Sequence, residues 1–358
     1  MTVHELDVSQ GTLKELHKGT GGPAGATGVD REFEKLLKSI FDADFIERFK
    51  VKRPASWVDL MISFEAKKRT ARPDSQSALN MSLPFSFIDY HKKHRRMTVE
   101  AAVKKFKNPD IKWSSQGMLR FNSNVMAKLF DPVVTAIIGH IQNLLTKPSL
   151  KHVKHLFLVG GFAESPLLQS SVRNALDGRV RVIIPNDVCL AILKGAVLFG
   201  LDPTVVRVRR SAYTYGVGVL NKFDTEKHDQ SKRVIKDGVV WCKDIFDCFV
   251  HVDESVGIGD RVTRSYAPAR SKQKSTVINI YCTERLDVVY TTDKGVTKCG
   301  KLRIEMPEVN IEDIPHEKRG KPRELQATMI FGDTEIKVSA VDVLSGQAAK
   351  ASIDFLNY

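Results

Sequence analysis

The chain has 358 residues, 42% of them apolar and 27% charged, which is an ordinary globular composition with length for two or three domains. No run approaches the roughly eighteen apolar residues of a membrane-crossing helix, and MTVHELDVSQG has no basic-then-apolar signal pattern, so no membrane-spanning helix is expected in these residues. The net charge of +13 is concentrated: residues 46–120 hold 17 Lys/Arg against 7 Asp/Glu.

A basic segment of this kind can meet nucleic acid, an acidic membrane surface or a phosphorylated small molecule. It lacks an interleaved aromatic platform or a recognisable nucleic-acid motif. His91-Lys92-Lys93-His94-Arg95-Arg96 is therefore read first as a solvated helix face. Five cysteines, odd in number and never spaced C-x-x-C, suit reduced thiols in a cytoplasmic protein. Cys242, Cys248 and His251 have the types of a metal cluster, but their spacing fits strand positions equally well.

In chain order, Thr2–Leu6 alternates like a strand that opens with no preceding structure. Gly19, Gly21, Gly22, Gly25 and Gly28 then crowd ten residues, with Asp30 placed to cap a helix that carries Phe33, Leu36, Leu37, Ile40 and Phe41. A glycine-rich loop running into a helix can cradle phosphate, although alone it is weak evidence. The next helix starts at Pro54, buries Trp57, Leu60, Met61 and Phe64, and then carries Glu65, Lys68, Arg69 and Arg72. Those four fall at i, i+3, i+4 and i+7, so one face gathers a carboxylate, an ammonium and two guanidiniums. Such a face can hold ribose hydroxyls, stack on a base and meet phosphate, or it can be a solvated stripe with an i,i+4 pair.

Leu79–Leu83 reads as a strand, and Gly117–Leu145 as a long helical region broken or restarted at Asp131-Pro132. Leu156–Val159 has the composition of a fully buried strand; Gly160-Gly161 turns the chain, and a helix opens at Ser165-Pro166. There backbone can approach a ligand without a Cβ clash. A strand at Val180–Ile184 follows, then a helix through Leu190, Ile192, Leu193 and Ala196, where Gly195 would permit close packing, and a strand at Ala212–Leu220.

Beyond Lys222 short β-branched runs alternate with charged loops: Val239–Trp241, Cys248–Val252, Thr276–Cys282, Leu286–Tyr290, Lys301–Ile304, Glu324–Ile330, Thr334–Val338 and Ala351–Phe355. Their spacing predicts an all-β sandwich or barrel, with Ile311–Pro322 a solvated loop.

These segments, in this order, resemble the 70-kDa heat-shock protein family, and within it a divergent branch. LVGGFAESPLLQ is similar to the family's adenosine motif, FEAKKRTAR to its nucleotide-contacting helix, and IPNDVCLAILKGAVLFGL to its second connecting helix. RRSAYTYGVGVLNKF, SYAPARSKQKSTVINIYC and FGDTEIKVSAVDVLSGQAAKASIDFLNY are nearer to the divergent branch. The resemblance implies an α/β actin-like ATPase lobe over residues 1–221, a mixed sheet with flanking helices. An all-β, sandwich-like substrate- or partner-binding module would fill 222–358.

It also implies an adenine-nucleotide half-site for ATP or ADP, in which Glu65, Lys68, Arg69 and Arg72 hold the adenosine from one side and Gly160, Gly161 and Phe162 face it from the other. Gly21, Gly22, Gly25, Thr27 and Gly28 are the candidate phosphate loop. Arg72 stands where the family commonly has a small hydroxyl residue, Glu164 where a basic residue is usual, and Cys189 where an aspartate is usual. The family's first phosphate loop, its catalytic Lys and Glu and a second Gly-rich loop have no counterpart in these residues. The expectation is thus the C-terminal portion of a longer protein or a truncated form, poor as an ATPase, with Mg²⁺ belonging to a full-length form. Protein clients or co-chaperones are the implied partners. The alternatives are a non-enzymatic interaction protein with a vestigial nucleotide site, and a nucleic-acid binder acting through residues 46–120.

Overall fold

The computed structural model describes residues 1–75, 78–114, 116–236, 238–268, 273–309, 323–332 and 335–354. The chain divides into two compact units, Gly21–Leu198, and Met1–Thr20 together with Phe199–Tyr358.

Two strands come first, β1 (Val3–Asp7) and β2 (Thr12–His17), paired antiparallel. The unit that follows begins with helices α1 (Ala26–Phe41), α2 (Ala43–Lys52) and α3 (Pro54–Thr70). The apolar stripe of α1 is buried at Val29, Phe33, Leu37, Ile40 and Phe41, and Phe33 stacks on Phe64 of α3 with centroids 3.9 Å apart. Pro54 occupies the first turn of α3, where its missing N–H costs nothing. Strand β3 (Leu79–Ser82) leads to α4 (Phe85–Arg95), α5 (Val99–Phe106), β4 (Ile111–Ser114) and β5 (Met118–Phe121), and these strands form a sheet in the order β3-β5-β4.

The basic stretch in α4 is only partly a solvated face. His91 is buried beside Phe41 and Phe45, with Nδ1 3.0 Å from the Met97 carbonyl, whereas Lys93 pairs with Asp89 at 2.8 Å on the outside. The region read as helical from Gly117 opens instead with β5, and α6 (Ser123–Leu145) then runs unbroken through Pro132. Burial of Leu129, Phe130, Val133 and Val134 around the proline explains why the helix survives the lost hydrogen bond.

Strand β6 (His155–Phe157) is short and pairs in parallel with β7 (Arg181–Ile183), joined through α7 (Pro166–Leu176), whose Ser165 cap accepts from the Leu168 N–H at 3.5 Å. The segment Leu156–Val159 is not fully buried: Leu156 and Leu158 turn onto the core, while Phe157 is 64% and Val159 36% exposed. A two-stranded sheet covered on one face leaves alternate side chains in solvent. Helix α8 (Ala191–Leu201) has no buried residue, and a Cβ at Gly195 would meet nothing within 4 Å, so the close packing expected there does not occur among the described residues.

Strand β8 (Val206–Arg210) pairs in parallel with β2, completing a four-stranded sheet in the order β1-β2-β8-β12, where β12 is Ser255–Gly257. Strands β9 (Thr214–Lys222), β10 (Arg233–Lys236), β11 (Val239–Val250), β14 (Ser275–Thr283) and β15 (Thr297–Glu305) form an antiparallel sheet in the order β10-β11-β9-β14-β15. A second antiparallel sheet orders β13 (Arg261–Tyr266), β16 (Leu325–Ile330), β17 (Glu335–Asp342) and β18 (Ala348–Asp354) as β13-β16-β17-β18. One core joins the two sheets, with Tyr215, Val217, Ile280 and Leu302 from the first and Met329, Ile336, Val338 and Ile353 from the second.

The pairing does not follow a single break near Lys222. Strand β9 lies inside the larger antiparallel sheet, and the N-terminal β1–β2 hairpin belongs to the same compact unit. Val239–Trp241 and Cys248–Val252, read as separate runs, are parts of one twelve-residue strand, β11, apart from His251 and Val252 beyond its end. Leu286–Tyr290 is not a strand; it touches the sheet through one bridge, Ile245 to Tyr290. Ile311–Pro322, Thr334 and Phe355 lie outside the described residues.

Candidate functional site

Two elements of the Gly21–Leu198 unit, the start of α1 and the Gly161–Glu164 turn, meet the last turns of α3. Lys68 is 4% exposed, and its ammonium reaches the Asp30 carboxylate at 2.7 Å and the Ala26 carbonyl at 3.5 Å, both in the first turns of α1. It also pairs with Glu65 one turn back. Arg69 donates from Nε to Glu65 at 2.8 Å, and its Nη1 reaches Glu164 at 3.3 Å, in the 3₁₀ turn Gly161–Glu164 that follows β6. The end of α3 thereby ties the start of α1 to the Gly160–Glu164 turn.

Charge and burial act against each other in this cluster. Burial pushes the Glu65 carboxyl up, but hydrogen bonds and charge from Lys68 and Arg69 outweigh it and hold the group below the ordinary carboxylate value. The Cys189 thiol is pushed up by its hydrogen bond to Glu164, with burial and the Glu164 charge adding to that. Cys189 therefore stays a thiol, not a nucleophilic thiolate.

Not every expected residue lies here. Helix α3 ends at Thr70, so Arg72 falls beyond it and does not share the face of Glu65, Lys68 and Arg69. Its side chain is exposed, without a partner among the described residues. Phe162 is half-buried and turned onto Phe130, with centroids 6.0 Å apart, so its ring serves the core and does not face the cluster.

Gly160 has φ +91°, a conformation that L side chains rarely adopt, and its N–H donates to the Val188 carbonyl at 3.0 Å. A Cβ on Gly161 would lie 4.0 Å from the Cys189 sulfur, an ordinary contact, so Gly160 is the position the backbone reserves for glycine.

The glycine-rich stretch also divides. Gly25 precedes α1 with extended backbone and no side-chain cap, and the Gly28 N–H turns back to the Gly25 carbonyl at 2.8 Å, which leaves the Ala26 and Thr27 amides as the open ones of that turn among the described residues. Asp30 lies in the second turn, so it caps nothing and receives Lys68 instead. Gly28 is buried, and a Cβ there would stand 2.5 Å from Cγ2 of Val133. It is the close approach of α1 to α6, not part of a phosphate loop. Gly21, Gly22 and Thr27 are exposed, and the Thr27 carbonyl accepts from Arg31 Nε at 3.4 Å.

Cys248 and His251 do come together, sulfur to ring nitrogen at 3.7 Å, while the Cys242 sulfur lies against the Lys243 carbonyl. No group of three metal-ligating side chains occurs among the described residues. No helix among them is long and apolar enough to cross a membrane.

Sequence reasoning passed over Asp30 as a partner of Lys68 and used Glu164 only as a departure from a family pattern. No local signal links either to α3, from which they are 38 and 95 residues distant.

Compared with known proteins, the chain is 54% identical over 358 residues to heat shock 70 kDa protein 12A of Homo sapiens and to that of Mus musculus. It is 54% identical over 361 aligned residues to heat shock 70 kDa protein 12B of Homo sapiens. Each alignment takes in 100% of this chain and 52% of the relative, so the chain spans about half the length of the curated relatives it matches. No family model matches it. With 54% identity over its whole length, the chain belongs to the 70-kDa heat-shock protein family, in its 12A/12B branch.

Proposed function

We propose that this chain binds adenine nucleotide, ATP or ADP, at the α3 cluster, as an atypical, chaperone-like member of its family and a poor ATPase. The observation that carries the reading is the bridge Arg69 makes from α3 to the Gly160–Glu164 turn, with Lys68 reaching the start of α1. Glu65 would accept from ribose hydroxyls and Arg69 would stack on the base, with the phosphate tail left largely in water. In this reading the Gly21–Leu198 unit acts as the body of the second lobe of an actin-like ATPase fold, and the β-rich unit that holds residues 222–358 as the part that meets clients or co-chaperones. Asp30, Glu65 and Glu164, the carboxylates of the cluster, are already held by Lys68 or Arg69. A Mg²⁺ ion at these carboxylates would compete with the Lys68 and Arg69 cations that hold them, which supports the poor-ATPase reading.

One observation favours a second reading, an interaction protein with a vestigial site: the Arg69 guanidinium is shared by two carboxylates, which a nucleotide must displace. Calorimetric titration with adenosine, ADP and ATP, beside a phosphate-release assay, separates the two. Binding is expected, with adenosine and ATP close in affinity and phosphate release near background. Arg69→Ala is expected to cost about 1–2 kcal/mol of nucleotide affinity through the lost cation–π contact. Unchanged affinity in a folded Arg69→Ala variant places the site elsewhere, and no binding at millimolar nucleotide selects the vestigial reading.

A further inference from the structure

Strand β4 is an edge of its sheet, with β5 on one side only. Its hydrogen-bonding direction follows from its ends. The Asn122 N–H donates to the Asp110 carbonyl at 2.9 Å, on the β5 side, whereas the Ile111 N–H donates the other way, to Asn108 at 3.2 Å. Alternation along an antiparallel pair then turns Lys112 and Ser114 toward β5, where they face Arg120 and Met118. The Ile111 carbonyl and both backbone groups of Trp113 point to the open side, and none meets a partner among the described residues.

That open side is not bare. A cavity of about 420 Å³ lies between β4 and the C-terminal end of α5, lined among others by Val103, Lys104, Lys107, Ile111, Lys112 and Trp113. Three consecutive strand residues in one lining mean that the cavity follows the strand's edge, since a cavity on one face would meet alternate residues only. Val103 and Ile111 are buried and Trp113 half-buried, which gives an apolar floor, and three exposed lysines form the rim.

Two acidic groups stand near. Glu100 pairs with Lys104 at 2.8 Å, an exposed i,i+4 contact worth little and readily exchanged. Asp110 is held by the Asn122 amide at 3.0 Å, on the β5 side. The rim thus presents positive charge along an unpaired strand edge.

We propose that an extended acidic peptide adds to β4 as a further strand of this sheet, in the groove between β4 and α5. Its backbone hydrogen-bonds to Trp113 and the Ile111 carbonyl, alternate apolar side chains enter the floor, and its carboxylates meet Lys104, Lys107 and Lys112. Backbone pairing sets the register, and the lysines select an acidic segment over a basic or neutral one. The groove shares no residue with the nucleotide cluster, so this inference stands apart from that reading.

The test is fluorescence anisotropy of a dye-labelled eight-residue peptide of alternating Glu and Val, titrated with the full chain. Binding is expected, weakening as salt is raised. The same peptide N-methylated at every second residue, which removes the donors of one edge, is expected to bind about tenfold more weakly. Lys112→Glu and Lys107→Glu, both at exposed positions, are each expected to weaken binding about fivefold with unchanged melting temperature. Equal binding of the N-methylated peptide overturns strand addition. Tighter binding of an eight-nucleotide single-stranded DNA, lost in Lys112→Glu, overturns the peptide in favour of a polyanion site. Insensitivity to both lysine substitutions, or no binding of the peptide, overturns the groove.

Discussion

Asp342 is wholly buried at the end of β17, and its carboxylate is occupied on both oxygens. Arg323 donates to it from Nε at 3.1 Å and from Nη2 at 2.5 Å, the N–H groups of Leu344 and Ser345 add bonds at 3.4 and 3.3 Å, and the Ser345 hydroxyl completes the set. Removing one member leaves a buried charge without its partner, so Asp342→Ala is expected to cost about 3–5 kcal/mol, read by denaturant unfolding. Burial alone would raise the Asp342 pKa, but Arg323 and Ser345 lower it below the ordinary value. A depressed carboxylate stabilises the fold above its unfolded pKa, and that stability is lost as pH falls through the folded value. The melting-temperature gap between the native chain and Asp342→Ala is therefore expected to hold at neutral pH and close only below about pH 3.9. A gap that closes near pH 6 would mean that another group controls it.

Among the elements, the crossing of α1 over α6 depends on the absence of one methyl group. A Cβ on Gly28 would stand 2.5 Å from the Val133 side chain, and Val133 is itself 7% exposed, with little room to yield. Gly28→Ala is expected to destabilise the Gly21–Leu198 unit by about 1–3 kcal/mol, as overpacking does. Adding Val133→Ala is expected to restore part of that loss, which thermal unfolding of the single and double variants would show. A phosphate-contacting Gly28 would behave otherwise: the unit would melt normally, nucleotide affinity would fall, and Val133→Ala would rescue neither.

For the whole molecule, each compact unit has its own core. One cluster runs from Val29 to Leu176 and the other from Tyr215 to Ile353, with no buried residue in common. Calorimetry is expected to show more than one transition, because cooperativity follows shared packing. Phe33→Ala, which deletes a fully buried ring from the first cluster, should lower one transition by about 3–5 kcal/mol. Ile336→Ala, in the second cluster, should lower the other by about 2–5 kcal/mol. If both substitutions move a single common transition, the chain unfolds as one unit.

What the sequence determined by itself was local. The buried stripes of α1 and α3, the Ser165-Pro166 start of α7 and most strands of the β-rich region were legible because a period of 3.6 or 2 places apolar side chains on one face whatever surrounds it. Glu65, Lys68 and Arg69 were legible as one face for the same reason. Tertiary structure decided what those side chains meet: Asp30 for Lys68, Glu164 for Arg69, Val133 against Gly28. It also decided that β2 pairs with β8, Leu13 opposite Val206, which draws the N-terminal hairpin into the unit of the C-terminal half. Such contacts join residues from tens to nearly two hundred positions apart, and they are selected by shape and charge between elements, for which a local pattern carries no signal.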